Sequence, residues 1–127
     1  MYDKVKFHEV LYALGIRGWG IKTAPTTEEY FLANFKRRTG MGTNDMGEPC
    51  EIMSTNPSEF GFTWSEFMAK HAELEIEYDA QAYARKRRVE YPNIYDYIDG
   101  IVKNDQTQID KYISDSQAVK DKHPKGE

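Results

Sequence analysis

The segment Glu77–Ile101 is a strongly polar helical stretch that one proline divides into two parts. Pro92 disfavours helical geometry at Tyr91, because the proline ring clashes with the backbone of the residue before it. Asn93 then supplies an N-cap for a second helix. The segment contains no recognisable catalytic group. Two helices that meet at a fixed break are typical of a packing or assembly element.

The composition predicts a folded chain with a single domain. At 127 residues the chain is long enough for one modest core and too short for two ordinary domains. Its aromatic content of 13% is higher than disordered chains usually have. We expect one domain over residues 1–127, with an N-terminal helix and ribbon part (1–62), a helical part (63–123) and a frayed tail (124–127).

Charge and cysteine content exclude some classes of function. The net charge of −4 argues against a general nucleic-acid binder, which needs clustered cations that face phosphates. Cys50 is the only cysteine, so an intrachain disulfide is excluded. No apolar segment approaches the length of a membrane span, and we therefore expect no membrane partner.

The motif Thr63-Trp64-Ser65-Glu66 predicts the start of a long central helix that runs to about Glu90. Thr63 and Glu66 match a capping box, in which each side chain satisfies a free backbone amide at the helix start. A narrow apolar stripe with spacings of three and four follows. Its members are Trp64, Phe67, Met68, His71, Leu74, Tyr78, Ala82 and Arg85.

Two shorter helices are predicted after Pro92, and both are expected to pack on the long central helix. The first has one apolar face, and the second begins near Asp105 and stops at Pro124. The apolar residues of the first are Ile94, Tyr97, Ile98, Ile101 and Val102, and those of the second are Ile109, Tyr112 and Ile113.

The N-terminal half predicts two helices and a small ribbon. Phe7, Val10, Leu11 and Leu14 recur at helical spacing and Gly15 follows as a C-cap. Thr26 and Glu29 form a second capping box, for a helix that is expected to end at Gly40 with Lys36, Arg37 and Arg38 in its last turn. The extended pieces Trp19–Ile21 and Cys50–Met53 are expected to pair as a two-stranded ribbon. These patterns together predict a mainly helical α+β fold.

The sequence gives no pattern that indicates catalysis, a metal or a cofactor. His8, His71 and His123 do not have metal-ligand spacing from one another or from Cys50. The carboxylates between Glu73 and Asp79 alternate along one helix, which is typical of a solvated face rather than of an acid and base pair held across a cleft. We therefore predict a non-enzymatic protein with no cofactor.

A cluster of tyrosines and arginines is the one functional-looking patch. Tyrosine and arginine are enriched in interface cores, because they bury a large area and keep a polar tip. Basic residues at a helix C-terminus also have a structural reason to be there, and half of the tyrosines could simply complete a small core. We predict a protein interface here rather than a nucleic-acid site. The tyrosine–arginine set consists of Tyr78, Tyr83, Arg85, Arg87, Arg88, Tyr91, Tyr95 and Tyr97.

The C-terminal segment resembles part of a known group of proteins. The matching pieces are Glu77–Arg87, Tyr91–Ile94 with Asp96 and Ile98, and Gln117–Lys125. They are similar to the C-terminal region of small structural or tail-associated proteins of tailed bacteriophages, especially phages of cyanobacteria. Asn56–Ser58, Phe62–Glu66 and Pro25–Glu29 also resemble such proteins.

The resemblance implies a virion or tail context and supplies no catalytic residues. It leads us to expect a structural or tail-fibre-associated protein that binds itself or another virion protein, made in the host cytoplasm and then located in the virion. The alternative is an early phage protein that binds and inhibits or redirects a host protein. A third reading is a nucleic-acid accessory protein that uses Arg85 to Arg88, which predicts salt-sensitive binding.

Overall fold

A computed structural model of the chain describes residues 1–125 and has a mainly helical α+β fold. Of the described residues, 56% are helical, and a small antiparallel sheet of three strands is also present. The chain divides into two compact units, Met1–Ile76 and a second unit that begins at Glu77. This boundary differs from the predicted one between residues 62 and 63, and the expectation of a single domain stays a prediction.

The first unit contains three helices and three strands, and its last helix, α3, continues beyond Ile76, where the unit ends. In chain order they are α1 (Phe7–Ala13), β1 (Trp19–Gly20), α2 (Glu28–Asn34), β2 (Lys36–Thr43), β3 (Pro49–Ser54), a 3-10 turn at Pro57–Glu59, and α3 (Trp64–Ala80). The predicted helix before Gly15 is confirmed as α1. Gly15 has a φ of +78°, a conformation that favours glycine just after a helix.

The prediction of a helix that continues to Gly40 was wrong. The predicted cap was also off by one residue: Thr27, not Thr26, is the N-cap of α2, and its hydroxyl accepts a hydrogen bond from the Tyr30 amide at 3.1 Å. The helix ends at Asn34. Phe35 is already extended, with ψ at 141°. The basic trio Lys36, Arg37 and Arg38 therefore lies in β2 and not in a last helical turn.

Pairing with β3 explains why β2 is a strand. Residues Lys36–Thr43 form an antiparallel hairpin with Pro49–Ser54. Asn44 closes the hairpin turn, because its side-chain oxygen accepts the backbone amides of Met46 and Glu48, each at 2.9 Å. Backbone hydrogen bonds along the hairpin outweigh the weak helical preference of the basic residues.

The predicted two-stranded ribbon is present only in part. The extended segments at Trp19 and at Cys50–Met53 are both strands, but the sheet has the order β1-β2-β3. Strand β1 pairs with β2, through Trp19 and Arg37 and through Gly20 and Lys36. The segment predicted as the end of α2 thus separates the two strands that were expected to pair.

Phenylalanine side chains form the core of the first unit. Phe35 is 1% exposed and its ring centroid lies 4.8 Å from that of Phe60 and 5.0 Å from that of Phe31. The contact with Phe60 is edge-to-face, a geometry that adds to the stabilisation that burial provides. The buried hydrophobic residues of the described chain are Val5, Phe7, Val10, Leu11, Ile16, Phe31, Phe35, Phe60, Phe62 and Phe67.

His71, a member of the predicted apolar stripe, is a packed histidine. Its side chain is buried against the ring of Phe67, and its two ring nitrogens contact the Met1 carbonyl at 3.0 Å and the Glu75 carboxylate at 2.9 Å. Tyr2 packs edge-on against the His71 ring, and its hydroxyl donates a hydrogen bond to the Pro25 carbonyl. Burial raises the pKa of Tyr2 to about 12. These contacts fix the N-terminal segment onto α3.

The predicted capping box at the start of α3 is confirmed. The prediction of a single helix that runs to Glu90 was wrong. The Glu66 amide donates to the Thr63 hydroxyl at 3.1 Å, and the Thr63 amide donates to the Glu66 carboxylate at 3.3 Å. The helix ends at Ala80, and Gln81 leaves helical geometry with ψ at 8°. Past Leu74 the stripe buries little, so packing does not enforce a continuous helix there.

The second unit contains the end of α3 and three more helices, α4 (Ala82–Glu90), α5 (Ile94–Lys103) and α6 (Gln106–Lys122). Asn93 is the N-cap of α5, as predicted, since its side chain accepts the Tyr95 amide at 2.9 Å. Helix α6 has 17 residues, the same as α3, so the prediction that it is shorter was wrong. Helix α6 packs against both α5 and α4.

Candidate protein-interaction surface

Arg85 stabilises the break between α3 and α4. Its guanidinium lies 3.5 Å from the centroid of the Tyr78 ring and donates to the Tyr78 carbonyl at 2.7 Å. The cation gains from the electron-rich ring face, and the hydrogen bond satisfies a carbonyl at the end of α3. These two members of the tyrosine–arginine set therefore bind each other.

Arg87 joins α4 to the C-terminal end of α6. Its Nε donates to the His123 carbonyl at 2.8 Å, and its guanidinium lies 4.9 Å from the Tyr83 ring centroid. A second nitrogen of Arg87 is 3.5 Å from the Lys120 carbonyl. A cation at a helix C-terminus is favoured by the helix dipole. Arg87 thus has an internal structural role.

Glu90 makes the second link between the same two helices. Its carboxylate accepts Lys122 Nζ at 2.7 Å and also pairs with the His123 ring. These hydrogen bonds, from Lys122 first and His123 second, hold the pKa of Glu90 below its ordinary value. We call Arg87, Glu90, Lys122 and His123 the α4–α6 clamp.

The clamp should weaken in acid. Because the pKa of Glu90 is lowered in the folded chain, its contribution to stability is present above the ordinary glutamate pKa and is lost as the pH falls through the lowered value. We expect Glu90→Gln to speed hydrogen exchange at the end of α6 at pH 7, and the difference from wild type to shrink at an acidic pH at which Glu90 is protonated. Glu77→Gln, at an exposed carboxylate on α3, is the control. An equal difference at both pH values would contradict the assignment.

The rest of the tyrosine–arginine set divides between free and packed side chains. The side chains of Arg88 and its neighbour Lys86 are exposed, and neither makes an ion pair or a hydrogen bond within residues 1–125. Tyr91 is 36% exposed and Tyr95 is 71% exposed. Tyr97 is partly buried, and its ring contacts that of Tyr112 on α6 at a centroid distance of 5.3 Å.

The most distinctive surface of the second unit is on α5. Helix α5 contacts α6 through Tyr97 and through Gly100, where a Cβ would lie 3.0 Å from Ile109 Cγ1. The opposite side of α5 carries large apolar side chains that are 46% to 79% exposed. We call this side the α5 outer face. It consists of Ile94, Tyr95, Ile98, Ile101 and Val102.

The apolar face of α5 was predicted from the sequence, but its exposure was not. The helical spacing of the isoleucines indicates an apolar stripe, which sequence reasoning assigned to packing against the long helix. Gly100 was the available signal, because a glycine inside a helix often marks the side that a neighbouring helix approaches closely. The side of α5 that carries Gly100 is the one that faces α6.

The second unit lacks an enclosed core within its described residues. The buried hydrophobic side chains of residues 1–125 all belong to the first unit. Helical segments with apolar faces normally bury them against another layer. The α5 outer face is therefore a surface that a partner could cover.

The described residues include neither a metal-binding cluster nor a membrane-spanning helix. Its His, Cys, Asp and Glu side chains form no group of three that could hold a metal ion. None of its helices has both the length and the apolar character needed to cross a membrane. Protein-family models, curated proteins and solved structures were compared with the chain, and none matched.

Proposed function

We propose that the chain is a non-enzymatic assembly protein that binds another protein chain through the α5 outer face. One observation carries this proposal: five large apolar side chains are exposed on one helix of a unit in which no described hydrophobic side chain is buried. Exposed apolar patches of this kind mark interaction sites on folded proteins. Tyr95 belongs to the patch, and exposed tyrosines are favoured in interfaces.

The setting that we propose is the virion of a tailed bacteriophage, in a structural or tail-associated role. The support for it is the sequence resemblance, whose main pieces fall on the end of α3, on α4, on the first turns of α5 and on the end of α6. The same unit contains the α5 outer face. The partner in this setting is a second copy of the chain or another virion protein.

Particle composition and binding together test this function. Mass spectrometry of density-purified virions should detect the chain, and the immobilised protein should capture a component of dissociated particles. The double variant Ile98→Asp/Val102→Asp should lose that capture, because two carboxylates would have to be buried in the interface. Met46→Asp is the matched control, since Met46 is 82% exposed and lies in the β2–β3 turn.

Two outcomes would contradict the proposal. Absence of the chain from virions, together with capture of a host protein, would favour the host-directed alternative. Equal capture by wild type and by the α5 variant would exclude the α5 outer face as the binding surface. The helical content of each variant, followed by circular dichroism, shows whether a lost interaction reflects a lost fold.

A further inference from the structure

We propose that His71 attaches the N-terminal segment (residues 1–5) to α3 in a way that depends on pH. At neutral pH the buried ring carries a proton on both nitrogens, and one of its two N–H groups holds the Met1 carbonyl. Loss of a proton at higher pH removes that hydrogen bond and frees the start of the segment. The proposed attachment concerns the first unit and is independent of the α5 outer face.

Both ring nitrogens of His71 face atoms that accept hydrogen bonds. Nε2 lies 3.0 Å from the Met1 carbonyl oxygen, and Nδ1 lies 2.9 Å from the Glu75 carboxylate. A carbonyl oxygen and an ionised carboxylate have no proton to donate. A neutral imidazole has one N–H and one lone pair, so it could satisfy only one of these partners. The doubly protonated ring satisfies both contacts together.

The surroundings of His71 leave its nitrogens dependent on these protein partners. The residue is only 4% exposed, so water has little access to it. The rings of Phe67 and Tyr2 lie against it, at centroid distances of 6.1 Å and 5.7 Å. A lone pair directed at the Met1 carbonyl in this site would be unpaired, and a buried polar atom without a partner is costly. Burial therefore favours a proton on each nitrogen.

Glu75 supplies the opposite charge that a buried cation needs. It follows His71 by four residues on α3, so the two side chains lie on the same face of the helix. The Glu75 side chain is 35% exposed, and contact with water favours its ionised form over the protonated one. The proton between the two groups therefore belongs to His71, and the carboxylate offsets its positive charge.

The proton on Nε2 is the one that leaves as the pH rises. The negative charge of Glu75 holds the proton on Nδ1, whereas Nε2 faces an uncharged carbonyl. The neutral ring then directs a lone pair at the Met1 oxygen. The hydrogen bond to the N-terminal segment is lost, and the one to Glu75 stays. Attachment is thus present in neutral solution and is lost above it.

Other titratable groups near the ring can be separated from this response. Tyr2 keeps its proton between pH 7 and 9, because burial raises its pKa to about 12. The charged groups close by are the Met1 amine, beside the contacting carbonyl, and Lys6, whose Nζ donates to the Tyr2 carbonyl at 2.8 Å. Acetylation of the amine removes its charge and leaves the Met1 carbonyl in place.

The nitrogen signals of the imidazole ring test the protonation state. In a long-range ¹H–¹⁵N spectrum at pH 7, His71 should show two nitrogens of the protonated type, whereas a neutral ring shows one of each type. His71→Gln identifies the signals by their loss. The exposed His8 is the reference for a ring in water within the same spectrum. An unprotonated nitrogen in His71 at pH 7 would overturn the inference.

Glu75→Gln tests the part that the carboxylate plays. The amide removes the negative charge, so His71 should show one unprotonated nitrogen at pH 7, and the Met1 and Tyr2 signals should move toward those of an unattached segment. Glu77→Gln, at an exposed carboxylate of the same helix, is the matched control and should leave both nitrogens protonated. Circular dichroism shows whether each variant is folded. A doubly protonated His71 in folded Glu75→Gln would contradict the inference.

A pH titration tests the attachment itself. As acetylated wild type is taken from pH 7 to pH 9, the Met1 and Tyr2 signals should change together with those of the His71 ring. The signals of Phe60, which is fully buried elsewhere in the core, should stay constant. If the ring loses its proton and the N-terminal signals do not follow, His71 does not hold the segment and the inference is wrong.

Discussion

Phe35→Ala is expected to lower the free energy of unfolding by about 3–5 kcal/mol, the range typical of removing a fully buried aromatic side chain. Phe35 is 1% exposed and contacts five aromatic rings of the first unit. Its removal leaves a cavity between α2, the sheet and the segment around Phe60. A loss of this size is comparable to the whole stability of a small domain.

Urea denaturation followed by tryptophan fluorescence measures this loss, because both tryptophans lie in the first unit. The stacked ring of Trp19 reports directly on the Phe35 site. Leu32→Ala, in the helix that ends just before Phe35 and at a side chain that is 42% exposed, is the control and should cost far less. Similar losses for the two variants would mean that Phe35 does not lie at the centre of the core.

Gly61→Ala is expected to cost about 2–4 kcal/mol, although Gly61 is exposed. Its φ is +86°, which is strained for alanine, and a Cβ would lie 2.7 Å from Arg37 Nη1. That nitrogen donates to the Phe60 carbonyl at 2.7 Å. The methyl group would push Arg37 away from its partner in a partly buried site, so strain and a lost charged hydrogen bond add together.

Gly47→Ala separates the two causes. Gly47 has a similar φ of +76°, but no atom lies within 4 Å of the position that a Cβ would take. Gly47→Ala should therefore lower the free energy of unfolding only by the cost of the backbone strain, about 1 kcal/mol. Comparable thermal denaturation midpoints for the two variants would show that Arg37 moves without cost and that its hydrogen bond contributes little.

Local signals predicted the elements whose causes are local. The Thr63 and Glu66 side chains form their capping box within four residues, and Gly15 ends α1 by its own conformation. The segment after Asn34 has no such local cause. Its basic residues suit a helix end, but the chain there is extended because β3, further along the sequence, supplies the hydrogen bonds. Pairing over that distance is not visible in a short window of sequence.

The predicted interface and the candidate surface share few residues. The sequence analysis placed an interface in the tyrosine–arginine set, of which only Tyr95 lies on the α5 outer face, and it could not show that Arg87 binds the end of α6, 33 to 36 residues away. It also could not show which side of α5 faces α6. That choice depends on the close approach of Ile109 to Gly100, a contact between two elements. Because the Gly100 side of α5 faces α6, the isoleucines on the other side of the helix are exposed.

The β2–β3 hairpin offers a place to attach a reporter. Strand β1 pairs with β2 only at Lys36 and Arg37. Beyond these two residues, β2 pairs only with β3. The turn at its end, Asn44 to Gly47, is exposed and lies apart from the buried phenylalanines. Exposed turns tolerate insertions better than packed elements do. A fluorophore or a short epitope placed at Met46 would change none of the residues of the α5 outer face, so the proposed incorporation into virions could be followed with a labelled chain.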